Sequence, residues 1–365
     1  MPKLAIVLLF SVLIASCGGG AASSAGPTLG DETTARTGPP EGWPRVLRAL
    51  PGEGPALFLG PESDSPALGY VSGGTRVRID GGPVNGRVPV TVAGGMTVRA
   101  WMPLSRLALY ATRRGRIPET PTYLAVGDPV SIVSREPDRS WRVQIGPWLG
   151  RGESDRLGPR PATLSADWLS ETPPEGRDTG LNPGENRLVP GGREIPVYDR
   201  ARGQVIATLP AIDPPHTVVV LRARSGWSGV RVGVGPYLVG YVQGELGEAA
   251  EAPPAPVWTP DHAAEGEAPI SIQNEEGPLR RIRAGARVRF VDRVIARLRT
   301  DAWARELGTA PGGRLDVYIA ADDGCAIRGA VRPRDVLEAD GGDGAEAAGG
   351  GAPSGDGDDD AGGDR

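Results

Sequence analysis

Trp227-Ser228-Gly229-Val230-Arg231-Val232, followed by Val239-Gly240-Tyr241-Val242 and Leu246, is the stretch on which the fold turns. Apolar and polar residues alternate through it with a period of two, which marks half-buried β-strands rather than helix. Working outward, Pro196-Val197-Tyr198, Val205-Ile206-Ala207-Thr208-Leu209 and Val218-Val219-Val220-Leu221 precede it, each cut off by Gly, Pro or Asp turns. The same order stands about 140 residues earlier: Leu57-Phe58-Leu59, Ala67 to Val71, Arg76 to Ile79, Val88 to Val92, Val98 to Met102, then Leu107.

A second pattern lies between and after these groups. Leu124-Ala125-Val126-Gly127-Asp128-Pro129-Val130 matches Ile282-Arg283-Ala284-Gly285-Ala286-Arg287-Val288. Trp141 to Ile145 lines up with Leu315 to Ile319, and Ala162 to Leu169 with Ala330 to Leu337. The chain is therefore expected to be all-β, with four small modules in the order A-B-A′-B′ at 55–110, 116–170, 193–247 and 279–338. Closing each into a barrel removes the sheet edges that an open arrangement would expose. A unit of 50–60 residues buries only about 60% of its unfolded surface. Adjacent A and B modules are thus expected to pack in two pairs. An insertion at 292–313 in the fourth module carries Val294, Ile295, Leu298, Trp303 and Leu307, spaced as one amphipathic helix.

These segments resemble bacterial SH3-like domains. Ser140-Trp141-Arg142-Val143, and Gly226-Trp227 leading into Val230-Arg231-Val232, stand where that family opens a strand with a tryptophan. Ala100-Trp101-Met102 with Leu107, Gly240-Tyr241-Val242 with Leu246, and Gly329-Ala330-Val331 with Leu337 stand at its glycine-aromatic-valine signature. The best match is 194–247. The first module lacks a Trp before Val88, the second lacks the Gly, and the fourth has Ala330 where an aromatic is usual. The resemblance implies small barrels and association with peptidoglycan.

At the amino terminus, Lys3 is the only lysine, and an apolar run from Leu4 ends in Ile14-Ala15-Ser16-Cys17. The run is too short for a spanning helix, which needs about 20 apolar residues, and has the build of a secretory signal peptide at 1–16. Ile14-Ala15-Ser16-Cys17 resembles the lipobox of bacterial lipoproteins. The resemblance implies a lipid on Cys17, a membrane partner through that anchor, and a place in the bacterial cell envelope. Gly18 after the cysteine, rather than an aspartate, points to the outer membrane.

Composition agrees with modules on a string. Fifty-five glycines and 37 prolines with 5% aromatic residues exclude one large helical core. Residues 17–54 and 171–192 read as linkers. Residues 248–278 read as an acidic linker, the interval 247–278 holding seven acids and no bases. The segment 339–365 has eight acids and one arginine, and reads as a solvated tail, a basic partner being the alternative. The bias of arginine over lysine reads as the stamp of a GC-rich genome rather than a binding signal.

Catalytic chemistry has little to draw on. The two histidines, His216 and His262, have no cysteine or second histidine at metal-ligand spacing. Glycine-rich runs lack the strand-turn-helix setting of a phosphate loop. Cys325 reads as a buried strand residue. No catalytic site, metal or cofactor is therefore expected, and the extracytoplasmic address disfavours nucleic acid. Ligand-binding candidates are Tyr237, Trp227, Trp141, Trp101 and Tyr241. Tyr237, beside the Gly235-Pro236 turn, is expected to be the most exposed, while Trp101 and Tyr241 also suit core closures. Three roles remain open: binding of cell wall or an envelope protein, a structural subunit without a groove, and a hydrolase of unfamiliar type.

Overall fold

The computed structural model describes residues 38–50, 56–117, 120–146, 160–176, 178–181, 183–189, 192–211, 217–233, 236–251, 276–321 and 324–337. The lipobox with Cys17, both histidines and the segment 339–365 lie outside the described residues. The fold is all-β, and one strand plan recurs four times. In the first module β1 (Val46–Ala49) precedes a short pair, β2 (Leu57–Phe58) and β3 (Ala67–Val71). A meander follows, β4 (Arg76–Ile79), β5 (Arg87–Ala93) and β6 (Met96–Pro103), then a 3-10 turn at Leu104–Arg106 and β7 (Leu107–Ala111). β1 pairs with both β4 and β7, and β2 pairs with β3 and, through Phe58 and Trp101, with β6.

The second module reuses β7 as its opening strand. It continues with β8 (Gly115–Arg116), β9 (Thr122–Leu124), β10 (Pro129–Arg135), β11 (Trp141–Ile145), β12 (Arg160–Leu164), a 3-10 turn and β13 (Leu169–Ser170). Leu107 and Ala108 of β7 pair with β1, Ala108, Leu109 and Tyr110 with β10, and Tyr110 and Ala111 with β13. One five-residue strand thus closes one barrel and opens the next. All five of its residues are buried, which suits a run read as Leu-Ala-Leu-Tyr-Ala rather than as an alternation.

The third module has β14 (Glu185–Leu188), β15 (Ile195–Tyr198), β16 (Val205–Leu209), β17 (Thr217–Arg224), β18 (Trp227–Val232) and β19 (Tyr237–Gln243). The fourth has β20 (Leu279–Ile282), β21 (Arg287–Phe290), β22 (Arg293–Leu298), β23 (Ala302–Ala310), β24 (Arg314–Ala321), β25 (Cys325–Val331), a 3-10 turn and β26 (Val336–Leu337). Its pairings repeat those of the first module strand for strand: β20 with β23 and β26, β21 with β22 and β25, and β23-β24-β25 in a meander. The A and B patterns are variants of a single unit.

Glycine in the glycine-aromatic signature has a steric cause. A Cβ on Gly240 would lie 2.5 Å from Val197 Cγ1 and 2.7 Å from the Tyr198 carbonyl oxygen. On Gly329 it would lie 2.6 Å from Val288 Cγ1 and 2.7 Å from the Arg289 oxygen. In each case the second strand of the module crosses directly over the meander. The first module admits Ala100 at this point.

The first and fourth modules exchange strand pairings. β3 lies along β25, with Gly69 opposite Ile327, Tyr70 opposite Ala326 and Val71 opposite Cys325. Reciprocally, β22 lies along β6, with Ala296 opposite Val98, Arg297 opposite Thr97 and Leu298 opposite Met96. The two seams are reciprocal in strand order and close a ring of six strands, β2-β3-β25-β21-β22-β6. Half of the same exchange joins the second and third modules, where Thr122 and Tyr123 of β9 face Leu238 and Tyr237 of β19. Packing follows this connectivity: one hydrophobic core runs through the first, second and fourth modules, and the third holds its own.

Three expectations are corrected. The stretch 292–313 is not a helix but the hairpin β22–β23, because β6 of a distant module supplies hydrogen-bond partners that a local pattern cannot show. The intervals read as linkers at 17–54 and 171–192 contain β1 and β14, the opening strands of their modules. The fourth module takes its strand partners from the first module rather than from its neighbour in sequence. Cys325 is fully buried in the seam between them.

Candidate functional site

The third module presents a half-buried aromatic cluster on the outside of its sheet. Alternation in β18 and β19 sends Val230, Val232, Leu238 and Val242 into the core and leaves Trp227 and Tyr241 outward. Ser225 and Gly226, with φ of 52° and 76°, form the tight turn that joins β17 to β18, and Arg224 pairs with Trp227 beside it. The register then aligns one row across four strands: Arg222 on β17, Gly229 on β18, Tyr241 on β19 and Tyr198 on β15.

Gly229 leaves a notch in this row. A Cβ there would lie 3.1 Å from Arg222 Cγ and 3.4 Å from Tyr241 Cε1. Over the notch the Arg222 guanidinium sits 5.2 Å from the Tyr241 ring centre, a cation–π contact. Tyr198 meets Trp227 edge to face, with centroids 5.1 Å apart and planes at 80°. A groove of about 540 Å³ runs past the other side of Trp227, between Arg187, Arg224, Glu245 and Leu246. Glu185 holds Arg187 in an ion pair at 3.0 Å. The arrangement offers flat apolar rings for stacking and exposed guanidinium groups for anionic or carbonyl oxygens.

Of the five aromatic candidates, the structure brings Trp227 and Tyr241 together. Tyr237 shares β19 with them but is only 5% exposed, contrary to the expectation from its turn. β9 of the second module runs over it at Tyr123, and the Arg231 guanidinium lies 4.6 Å from its ring centre. Trp141 opens the second meander strand of its module as Trp227 does, yet is 3% exposed. Trp43 covers it edge to face at 5.2 Å, and Arg135 stacks at 4.6 Å. Upstream of Trp141, the Ser140 hydroxyl and amide donate to Asp138 at 2.6 and 2.9 Å and hold that carboxyl below the ordinary aspartate range.

Trp101 occupies in the first module the place that Tyr241 occupies in the third, half-buried and opposite an aromatic, Phe58. There Arg87 covers Phe58 at 3.8 Å and donates to the carbonyl oxygens of Gly60 and Glu62, so the arginine is tied down by the loop between β2 and β3. Sequence reasoning missed Tyr198, Arg222 and Arg224. The alternation in Ile195-Pro196-Val197-Tyr198 does signal an outward Tyr198, but the row that joins it to Tyr241 is a matter of register. Among the described residues no group of acids, cysteines and histidines could hold a metal ion, and no helix is long and apolar enough to cross a membrane. No protein-family model, curated protein or solved structure matches the chain.

Proposed function

We propose that this chain is a lipid-anchored protein of the bacterial cell envelope that binds peptidoglycan through the third module, without chemistry of its own. The observation that carries the reading is the outward cluster of Tyr198, Trp227 and Tyr241 flanked by Arg222 and Arg224. Aromatic rings turned outward stack on the apolar faces of sugar rings, while arginines pair with carboxylates in a two-point geometry. Peptidoglycan presents both groups side by side. The anchor rests on Cys17 and its lipobox; two or more acyl chains, at about 0.8 kcal/mol per buried methylene, hold a protein on a bilayer durably.

Sedimentation of the full chain with purified peptidoglycan tests the binding. The wild-type chain is expected in the pellet, and Trp227→Ala and Tyr241→Ala are expected to weaken retention on the order of ten-fold or more, as interface aromatics do. Retention unchanged by both substitutions would remove the cluster from the reading. A wild-type chain that stays in the supernatant would instead favour a structural subunit, for which the strand-exchanged seams give the module packing. Cys17→Ser is expected to release the protein from the membrane fraction.

A further inference from the structure

Arginines line the outside of the sheet that the first and fourth modules share. Arg48 on β1 stands directly opposite Arg76 on β4, and Arg287 on β21 directly opposite Arg297 on β22. Between these pairs, Thr97 of β6 continues the row from Arg297, while Arg78, Thr91 and Arg99 form a second row across β4, β5 and β6. Arg76, Arg78, Arg99, Arg287 and Arg297 are all exposed, and their inward neighbours Val77, Val98, Val288 and Ala296 are buried. Asp80 neutralises Arg78 at 2.7 Å. Arg76, Arg287 and Arg297 have no acidic partner among the described residues.

Like charges placed directly opposite across two strands destabilise a sheet. Arg48 is held by the fold, donating to the Gly74 carbonyl oxygen at 2.9 Å, which leaves Arg76, Arg287 and Arg297 turned outward on one continuous face. A polyanion laid over them would turn repulsion into attraction. The chain carries one. Residues 339–365 hold eight acids against Arg365 alone, and the described fold ends at Leu337, which pairs with Arg281 of β20 within the fourth module. A glycine-rich segment of this length has a root-mean-square reach of about 30 Å. Six strands at their usual spacing of about 4.8 Å cover roughly 25 Å. Tethering also raises the effective concentration to about the millimolar range.

We propose that the acidic C-terminal segment, residues 339–365, docks on the arginine face formed by β1, β4, β5, β6, β22 and β21. The segment neutralises the face and keeps other anions, including lipid headgroups, away from it. The test uses the full chain carrying Cys17→Ser, in two forms: with its native tail, and with the eight tail acids changed to Asn or Gln. The probe is a fluorescently labelled synthetic peptide of residues 339–365.

At about 50 mM salt the neutral-tail chain is expected to bind the peptide on the order of ten-fold more tightly than the native-tail chain, with affinity falling as salt rises. Adding Arg76→Ser, Arg287→Ser and Arg297→Ser to the neutral-tail chain should abolish that binding, and the three lysine substitutions should restore most of it. Equal peptide affinity for the two tail forms would overturn the proposal, as would binding that survives the serine substitutions. Phosphatidylglycerol vesicles separate the remaining source of anions: if the native-tail chain binds them as tightly as the neutral-tail chain does, the face belongs to the membrane and the proposal fails. Should the serine variant not fold, the comparison of the two tails still decides.

Discussion

Gly240 shows how a single missing Cβ sets the shape of a module. A Cβ there would meet both Val197 and the Tyr198 carbonyl oxygen, and Gly329 repeats the arrangement in the fourth module. Both approaches involve groups that cannot swing away, so Gly240→Ala is expected to destabilise the third module by about 1–3 kcal/mol. Urea unfolding of the two chains compared at equal slope measures this; a loss below about 0.5 kcal/mol would mean that the crossing strand yields. Asp138 supplies a residue-scale prediction of another kind. Its carboxyl is depressed by hydrogen bonds from Ser140, so it stabilises the fold above its unfolded pKa of about 3.9, and that contribution is lost as pH falls through the folded value. Asp138→Asn is expected to lower the melting temperature at neutral pH and to match the native chain in strong acid. A difference that persists unchanged in acid would show that the charge is irrelevant to the turn.

At the level of the element, a strand's character came through from its own residues and its partner did not. Alternating valines declare β18 and β19 strands, and Trp227 and Tyr241 as outward residues follow from the same period. Tyr237 obeys that period too, yet β9 covers it, and nothing near Tyr237 in sequence announces β9. Val294, Ile295, Leu298, Trp303 and Leu307 fit a helical stripe as well as they fit two strands. The β-branched Val294 and Ile295 favour the strand, and β6, about 200 residues earlier, supplies its ladder. Gly69 holds the other half of that exchange. A Cβ on it would stand 1.9 Å from the Ala326 carbonyl oxygen, inside the seam between β3 and β25. Gly69→Ala is therefore expected to open this seam before any other. Cys325, opposite Val71 in the same ladder, reports the event. In a Cys17→Ser chain its thiol should resist an aromatic disulfide reagent in the native protein and react on the order of ten-fold faster or more in Gly69→Ala, a ratio that corresponds to about 1.4 kcal/mol of easier opening. Equal rates would place the strain elsewhere.

For the whole molecule, connectivity and packing divide the chain differently from sequence order. The fourth module closes a ring with the first across the intervening second and third modules, and β7 welds the first to the second, so three modules share one continuous core. The third keeps a separate core and is joined through the two-residue ladder between β9 and β19 and the hydrogen bonds of Val239 with Pro121 and Arg116. A unit that small buries too little apolar surface to be as stable as a body three times its size. Unfolding is accordingly expected in two steps, the third module first. Hydrogen exchange across a urea series measures it: amides of β17, β18 and β19 should lose protection at lower urea than those of β23, β24 and β25, while the Cys325 thiol stays shielded through the first step. Loss of protection at one common urea concentration would mean that the β9–β19 ladder couples the cores more strongly than its length suggests. The two-step outcome has a functional corollary, since the face bearing Trp227 and Tyr241 would then unfold and refold without disturbing the arginine face on the larger body.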